Sequence, residues 1–321
     1  MAALGLGAGL IWEASATTWP PQVDPTSIGG MILWLDFSDA STMYTTHDSF
    51  NSSVSSDGDA IGRIHNKSML TYSLSNNLGI FAKQAVTSRR PLYKTSGAGG
   101  HSYGLFDGVD SLFCTSVSAD TGSIGAGVLS STELDMQSYT MVIIAASTVA
   151  DITAPDNIFS IRGHEPGDTS TYRRMRFYKH NPTDGFNVDH EYEGESTEDI
   201  NGGATNANNT SASVHFFIGG TTSTGVSLAG SGYGDTFKNN GGTQTAETLA
   251  NDAEIDFAPG GSYSGDPDAW QVGNLIGTDG SEGTSSLGFA GKIYEVVMYN
   301  NPISASNRIG LANYYMDKYS I

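Results

Sequence analysis

Oxygen donors are the residues of this chain best spaced for chemistry. Asp57-Gly58-Asp59 and Asp107-Gly108-Val109-Asp110 each set two carboxylates on a turn, and carboxylates on turns are the hard donors that calcium takes. Neither run carries the full ordered set of an ion-binding loop, and Asp beside Gly also makes a turn with no ion at all. Asp36 and Asp39 follow an apolar run and read as turn and cap residues. Calcium is the one cofactor these residues suggest. The seven histidines are scattered, with no i, i+4 pair of the kind a zinc site uses. Cys114 is the single cysteine, so no intrachain disulfide can form, and nothing around it resembles an activated nucleophile. No Ser lies in a G-x-S-x-G elbow, and the Gly-rich GGTTSTG and AGSGYGDT lack a phosphate-binding Lys. Aromatic side chains on loops can stack on sugar faces, which makes Tyr233, Phe237, Tyr263 and Trp270 a candidate glycan platform; the competing reading for each is an ordinary core ring.

The elements that must position these groups are strands. Forty glycines, abundant Ser, Thr and Asn, and only 15% charged residues describe short strands joined by turns and long polar loops, while 38% apolar residues still supply a core. Met31–Phe37 alternates, with Ile32, Trp34 and Asp36 opposite Leu33, Leu35 and Phe37. Tyr103 to Leu112 reads as a strand, a sharp turn at Asp107-Gly108 and another strand. Tyr139–Ala146, YTMVIIAA, is apolar throughout and predicts a strand buried on both faces. Ile158–Arg162, Met175–Tyr178 and Ser213–Gly219 are further strands, 181–265 carries long polar excursions or an insertion, and Trp270–Gly273 leads into the closing unit. Ile293–Tyr299 alternates, placing Ile293, Glu295, Val297 and Tyr299 on one side and Tyr294, Val296 and Met298 on the other. Asn300-Asn301-Pro302 stops it. Ser304 then caps a helix whose apolar stripe is Ile309, Ala312, Tyr315, Met316 and Tyr319.

Charge and the amino end narrow the partners. Thirty-four acidic residues against fifteen Lys and Arg give a net charge of −19, which repels nucleic-acid backbones and anionic membranes. No apolar run reaches the roughly eighteen residues of a membrane span. The stretch from Met1 to Ala16 looks superficially like a signal peptide but lacks a basic start, and Glu13 interrupts its apolar run. Residues 1–27 therefore read as an anchoring arm and linker, with Leu4, Leu6, Leu10, Ile11 and Trp12 docking on this chain or on a neighbouring copy.

The order of these features carries a resemblance. ILWLDFSDAST, GRIHNKS, RPLY, GLFDGVDSLF, YTMVIIAAS, WQVGN and the closing GFAGKIYEVVMYNNPISASNRIGLANYYMDKY together resemble the concanavalin A-like lectin/glucanase superfamily, in its laminin G-like branch, over residues 28–321. The resemblance implies an all-β fold: a two-sheet antiparallel jelly-roll sandwich with Trp34 and Phe106 inside, a short C-terminal helix on the outside and an extended N-terminal arm. Members carry Glu or Gln three places after the capping Ser; Asn307 stands there instead and weakens that cap. Glucanases of the superfamily use Glu-x-Asp-x-Glu or Glu-x-Asp-x-x-Glu, whose alternate carboxylates flank a glycosidic bond about 5–5.5 Å apart. Here Glu254-Ile255-Asp256 is followed by Ala258 and Pro259 where the last Glu belongs, and Glu191, Glu193 and Glu195 lack the central Asp. An enzyme is not expected. A Gly-rich arm before an acidic sandwich resembles structural proteins of marine tailed-phage virions, which implies a non-enzymatic virion component, as capsid decoration, tail or fibre, held as a homo-oligomer. The alternative expectation is a carbohydrate-binding or host-adhesion module, assisted by calcium.

Overall fold

In a computed structural model of the protein, the apolar runs become the central strands of two antiparallel sheets packed as a sandwich. The structure describes residues 21–70, 81–115, 138–148, 156–164, 172–179, 186–192, 198–201, 211–220, 231–237, 243–248, 266–277, 282 and 287–321. In chain order the strands are β1 (Met31–Asp36), β2 (Met43–Tyr44), β3 (Arg63–His65), β4 (Phe81–Lys83), β5 (Leu92–Lys94), β6 (Tyr103–Asp107), β7 (Leu112–Thr115), β8 (Ser138–Ser147), β9 (Asp156–His164), β10 (Tyr172–Lys179), β11 (Phe186–Tyr192), β12 (Glu198–Asn201), β13 (Ser213–Gly220), β14 (Ser231–Phe237), β15 (Thr243–Thr248), β16 (Asp266–Val272) and β17 (Ala290–Tyr299); helix α1 (Ala305–Tyr319) follows. The first sheet runs β15-β14-β13-β8-β17-β6-β5, and β1 also pairs with β17; the second runs β12-β11-β10-β9-β16-β7-β4-β3-β2.

Alternation explains both apolar layers. On β8, Met141, Ile143 and Ala145 enter the core between the sheets, while Val142, Ile144 and Ala146 enter a second layer with Leu311, Ala312, Tyr315 and Tyr319 of α1. That is why YTMVIIAA has no polar phase: its outer face is roofed by a helix. Leu33, Leu35 and Phe37 point into the sandwich beside Phe106, as the resemblance implies for Phe106. Trp34 is buried as well, but in the layer beneath α1.

β17 departs from strict alternation. Ile293 pairs with Ala145 and Glu295 with Ile144, so Tyr294 is an extra residue, a β-bulge. Ile293, Val296 and Met298 consequently share the inner core, and Tyr294, Val297 and Tyr299 share the helix layer. The same edge of β17 serves two partners, β6 along Ala290–Ile293 and β1 along Glu295–Tyr299. The turn at Asp107-Gly108 is also not a hairpin. β6 lies in the first sheet and β7 in the second, so the turn carries the chain across the sandwich.

Helix α1 starts where expected, with Ser304 accepting the Asn307 amide at 3.2 Å. Its buried stripe is Arg308, Leu311, Ala312, Tyr315 and Tyr319, with Ile309 and Met316 only half-buried. The stripe is rotated because residues preceding the sandwich occupy part of the groove: the Val23 amide donates to the Gly310 carbonyl at 3.1 Å, and a Cβ on Gly310 would sit 2.3 Å from Val23 Cγ2. Tyr299 donates to the Pro25 carbonyl at 3.0 Å, and Ile28 is buried. The segment from Val23 is therefore part of the fold, not a linker. Leu4, Leu6, Leu10, Ile11 and Trp12 lie outside the described residues. Within 181–265, β11 and β12 extend the second sheet, and β13–β15 build one side of the first. No described helix is long and apolar enough to cross a membrane.

Candidate functional site

The second sheet turns one face to the core and the other away from it. Inward go Met175 and Phe177 of β10, Phe159 and Ile161 of β9, Trp270 and Val272 of β16, Leu112 and Cys114 of β7, Ala82 of β4 and Ile64 of β3. The residues between them must occupy the opposite face. Register aligns these into rows across the strands. Arg176 lies opposite Ser160, Ser160 opposite Gln271, Gln271 opposite Phe113, Phe113 opposite Lys83, Lys83 opposite Arg63, and Arg63 opposite Tyr44. On the far side of Arg176 the row continues to Asp189 of β11 and Asp199 of β12. A neighbouring row sets Arg174 opposite Arg162 and, across β11, opposite Glu191. Nine strands thus contribute a polar or aromatic position each, about 4.8 Å apart.

Local packing holds these side chains in place. The Arg176 guanidinium lies over the Tyr178 ring at 4.8 Å, an i, i+2 pair on one face of β10. The middle of the row is bridged by the chain leaving β16: Ser160 Oγ donates to the Asn274 carbonyl at 3.0 Å, the Ile276 amide donates to Ser160 Oγ at 2.8 Å, and Arg174 Nη1 donates to the Ile276 carbonyl at 3.0 Å. Nearby, Glu282 accepts from Gln84 Nε2 at 2.5 Å and Ser111 Oγ at 2.8 Å, and pairs with Arg89 at 3.2 Å.

At the β2–β4 end the row finishes in an aromatic cluster. The Arg63 guanidinium lies against both the Phe50 and Phe81 rings, 4.4 and 4.2 Å from their centroids, and donates to the His47 carbonyl through Nε at 3.0 Å and through Nη2. Arg90 Nη1 holds the adjoining Thr45 carbonyl at 3.0 Å. Two arginines thereby fix the 45–47 backbone. Phe50 packs edge-on to Tyr44, His65 and Phe81 with ring centroids 5.1, 5.6 and 5.8 Å apart. Burial and the Arg63 charge push the His65 imidazole below its ordinary pKa, which favours the neutral ring. Phe50, at 36% exposure, is the one exposed aromatic among the described residues.

The groups singled out from the sequence fall elsewhere. Trp270 is completely buried, stacked obliquely on Phe159 at 5.8 Å, and cannot meet a sugar; the alternation of β16 turns it inward. Tyr233 and Phe237 fall on β14 at register positions beside Ile218 and Val214, and Tyr263 lies outside the described residues. Asp57 accepts the Thr95 amide at 2.9 Å and pairs with Lys94 at 3.1 Å, whereas Asp59 accepts the Ser55 and Ser56 amides at 2.8 and 2.9 Å. These carboxylates shape a turn around Gly58, whose φ is +92°. Asp107 Oδ1 accepts the Val109 and Asp110 amides at 3.0 and 3.2 Å, and Asp110 Oδ2 accepts the Asp107 amide at 3.1 Å. Burial and the Asp107 charge push Asp110 up to about 7, so one of the pair keeps its proton into neutral solution. Among the described residues no group of three or more His, Cys, Asp or Glu is arranged to hold a metal ion. Cys114 is buried and its thiol is pushed up to about 12, an inert packing residue. Glu254 and Asp256 lie outside the described residues.

Sequence reading missed Tyr44, Phe50, Arg63, Arg174 and Arg176. One signal was present: in Arg174-Met175-Arg176-Phe177 cations alternate with core residues, which marks a strand presenting charge outward. The chemistry the face offers is recognition. Ser160, Gln271 and Arg63 of the row are buried, and what stays accessible is Arg174, Arg176, Lys83, Phe113 and Tyr44 beside the exposed Phe50.

No protein-family model matches the chain, and no curated protein is similar to it. Among the solved structures with a similar arrangement are sialidases and a sialidase carbohydrate-binding module. The Ruminococcus gnavus IT-sialidase CBM40 bound to α2,3-sialyllactose is 14% identical with a TM-score of 0.37, covering 57% of this chain and 86% of that one. The Trypanosoma rangeli sialidase is 11% identical with a TM-score of 0.44, over 94% of this chain and 37% of that one. The K499G NanB sialidase of Streptococcus pneumoniae is 15% identical with a TM-score of 0.38, over 64% and 27%. These are neighbours in general β-sandwich architecture, and no residue of the site is assigned from them.

Proposed function

We propose that this chain is a non-catalytic carbohydrate-binding module whose binding face is the outer side of the second sheet, at its Phe50 end. The observation that carries the reading is the position of Phe50: the one exposed aromatic among the described residues caps a row of polar side chains and is held by two arginines that shape its loop. A flat ring beside the partly exposed Tyr44 and His65 suits a saccharide, which presents an apolar face and a rim of hydroxyls. A glycan array probed with wild type and Phe50→Ala tests it. The variant should lose about tenfold in affinity, the worth of roughly 1.4 kcal/mol from one aromatic contact. Equal binding by both proteins, or no glycan bound by wild type, removes the reading. Repeating the array with a chelator decides whether calcium assists.

We also propose an assembly role for residues 1–20 in a homo-oligomer or virion particle. Its support is that Val23–Ile28 are clamped to α1 and β17, which roots whatever precedes them. Deleting residues 1–20 should leave the sandwich folded and abolish incorporation into a particle; incorporation at normal occupancy would end this reading.

A further inference from the structure

The arginine beneath Phe50 carries donors that the protein does not use. Arg63 is exposed by only 2%, and its guanidinium commits one edge, Nε and Nη2, to the single carbonyl of His47. The end-on edge is left over: Nη1 is buried and has no hydrogen-bond partner. Among the described residues no carboxylate forms an ion pair with Arg63, and Asp48, whose charge it feels, is exposed on the loop above. Lys67, Arg89, Lys94 and Lys318, by contrast, meet carboxylates at 2.8, 3.2, 3.1 and 2.6 Å. Burying a cation without a counter-ion is costly, and a buried N–H without a partner adds to the cost. The two rings against the guanidinium offset only part of it. An anion from outside the chain completes such a site.

We propose that the Phe50 end of this face takes acidic saccharides, and that Arg63 receives the sugar's carboxylate once the Phe50 ring turns from the guanidinium onto the sugar. The assignment rests on the reading of this face as a carbohydrate site and adds the charge class of the ligand. The route follows from the two rings against the guanidinium: Phe81 is buried at 5% exposure and Phe50 is exposed, so the way in from solvent leads past Phe50. Tyr44 and His65, edge-on to Phe50 and partly exposed, border that opening. A planar carboxylate matches the end-on edge of a guanidinium through two parallel N–H···O bonds, one from Nη1 and one from the second hydrogen of Nη2. A neutral saccharide meets the same ring and leaves Nη1 unpaired. The net charge of −19 repels acidic ligands in general, so a preference for them needs a local cation.

A glycan array set out in pairs, each uronic-acid oligosaccharide beside its carboxyl-reduced neutral counterpart, tests the assignment on the full chain. Wild type should bind the acidic member of its preferred pair about tenfold tighter or more, the worth of a charge-assisted contact. Arg63→Gln should abolish that preference, while Phe50→Ala should weaken both members. Arg176→Gln, at the β10 end of the same face, should keep the preference. A preference retained in Arg63→Gln, or lost in Arg176→Gln alone, overturns the assignment. Equal binding of both members by wild type also overturns it and leaves the face standing as a site for neutral sugars; wild type that binds neither member of any pair removes the assignment and the carbohydrate reading together. Should Arg63→Gln not fold, Arg63→Lys keeps the charge and the stem without the fork, and an unchanged preference there overturns the assignment equally.

Discussion

The two outer faces of the sandwich solve opposite problems with the same strand alternation. On the first sheet the outward residues of β8, β13 and β17 are Val142, Ile144, Phe216, Val297 and Tyr299, and a 15-residue helix covers them. On the second sheet the outward residues are Arg174, Arg176, Ser160, Gln271, Lys83, Arg63 and Tyr44, crossed only in part by the chain at Asn274–Ile276. The first face is committed to stability. The second buries Ser160, Gln271 and Arg63 but keeps Arg174, Arg176, Lys83 and Tyr44 partly exposed, where they can meet a ligand. Net charge sharpens the difference: in a protein with fifteen Lys and Arg, β3, β4, β9 and β10 place Arg63, Lys83, Arg162, Arg174 and Arg176 in the outward phase of the second sheet.

If that division holds, substitutions sort by face. The largest effect belongs to the sealed side: Tyr315→Asp removes a buried ring and inserts a charge among Tyr299, Tyr319 and Glu295, and should cost about 5 kcal/mol or more in urea unfolding. A melting temperature equal to wild type would show that α1 is not docked. Trp270→Ala comes next, at about 4 kcal/mol, because the ring fills the inner core beside Phe159; glycan affinity of whatever fraction stays folded should be unchanged.

The third effect is on pH. Glu295 has a folded-state pKa above its unfolded one, so its contribution to stability is fully present below about pH 4.5 and is lost as pH rises through about 7, a fall of roughly 3 kcal/mol. Asp110, pushed to about 7, and Asp156, pushed to about 6, both chiefly by burial, act with the same sign. Unfolding free energy should therefore decline from pH 5 to neutrality, and Glu295→Gln should flatten only part of the decline. A slope identical in the variant would take Glu295 out of the account. The smallest effect on stability is on the open side, where Phe50→Ala should cost about 1 kcal/mol while weakening glycan binding.

How much of this could be read from sequence follows from where each signal resides. A strand buried on both faces announces itself locally, so Tyr139–Ala146 is legible, as are the apolar positions of Met175–Tyr178 and Ser213–Gly219 and the Ser304 cap. The bulge at Tyr294 is invisible, because one extra residue leaves the composition of β17 unchanged while moving Ile293 into the inner core, away from the face that Glu295 shares with Val297 and Tyr299. The switch of sheets at Asp107–Asp110 reads like any hairpin turn until partners are known. The candidate site is least legible. Its row joins Tyr44, Arg63, Lys83, Phe113, Ser160, Arg176 and Gln271, which no local pattern connects. Trp270 attracted attention as a large ring near loops, yet its alternation with Gln271 already held the answer about which way it faces.

Hydroxyl-radical footprinting with a bound glycan compares the two faces directly. The account predicts protection at Tyr44, Phe50, His65 and Phe113 and none on α1; protection of Tyr314 or Met316 with Phe50 left reactive would contradict it.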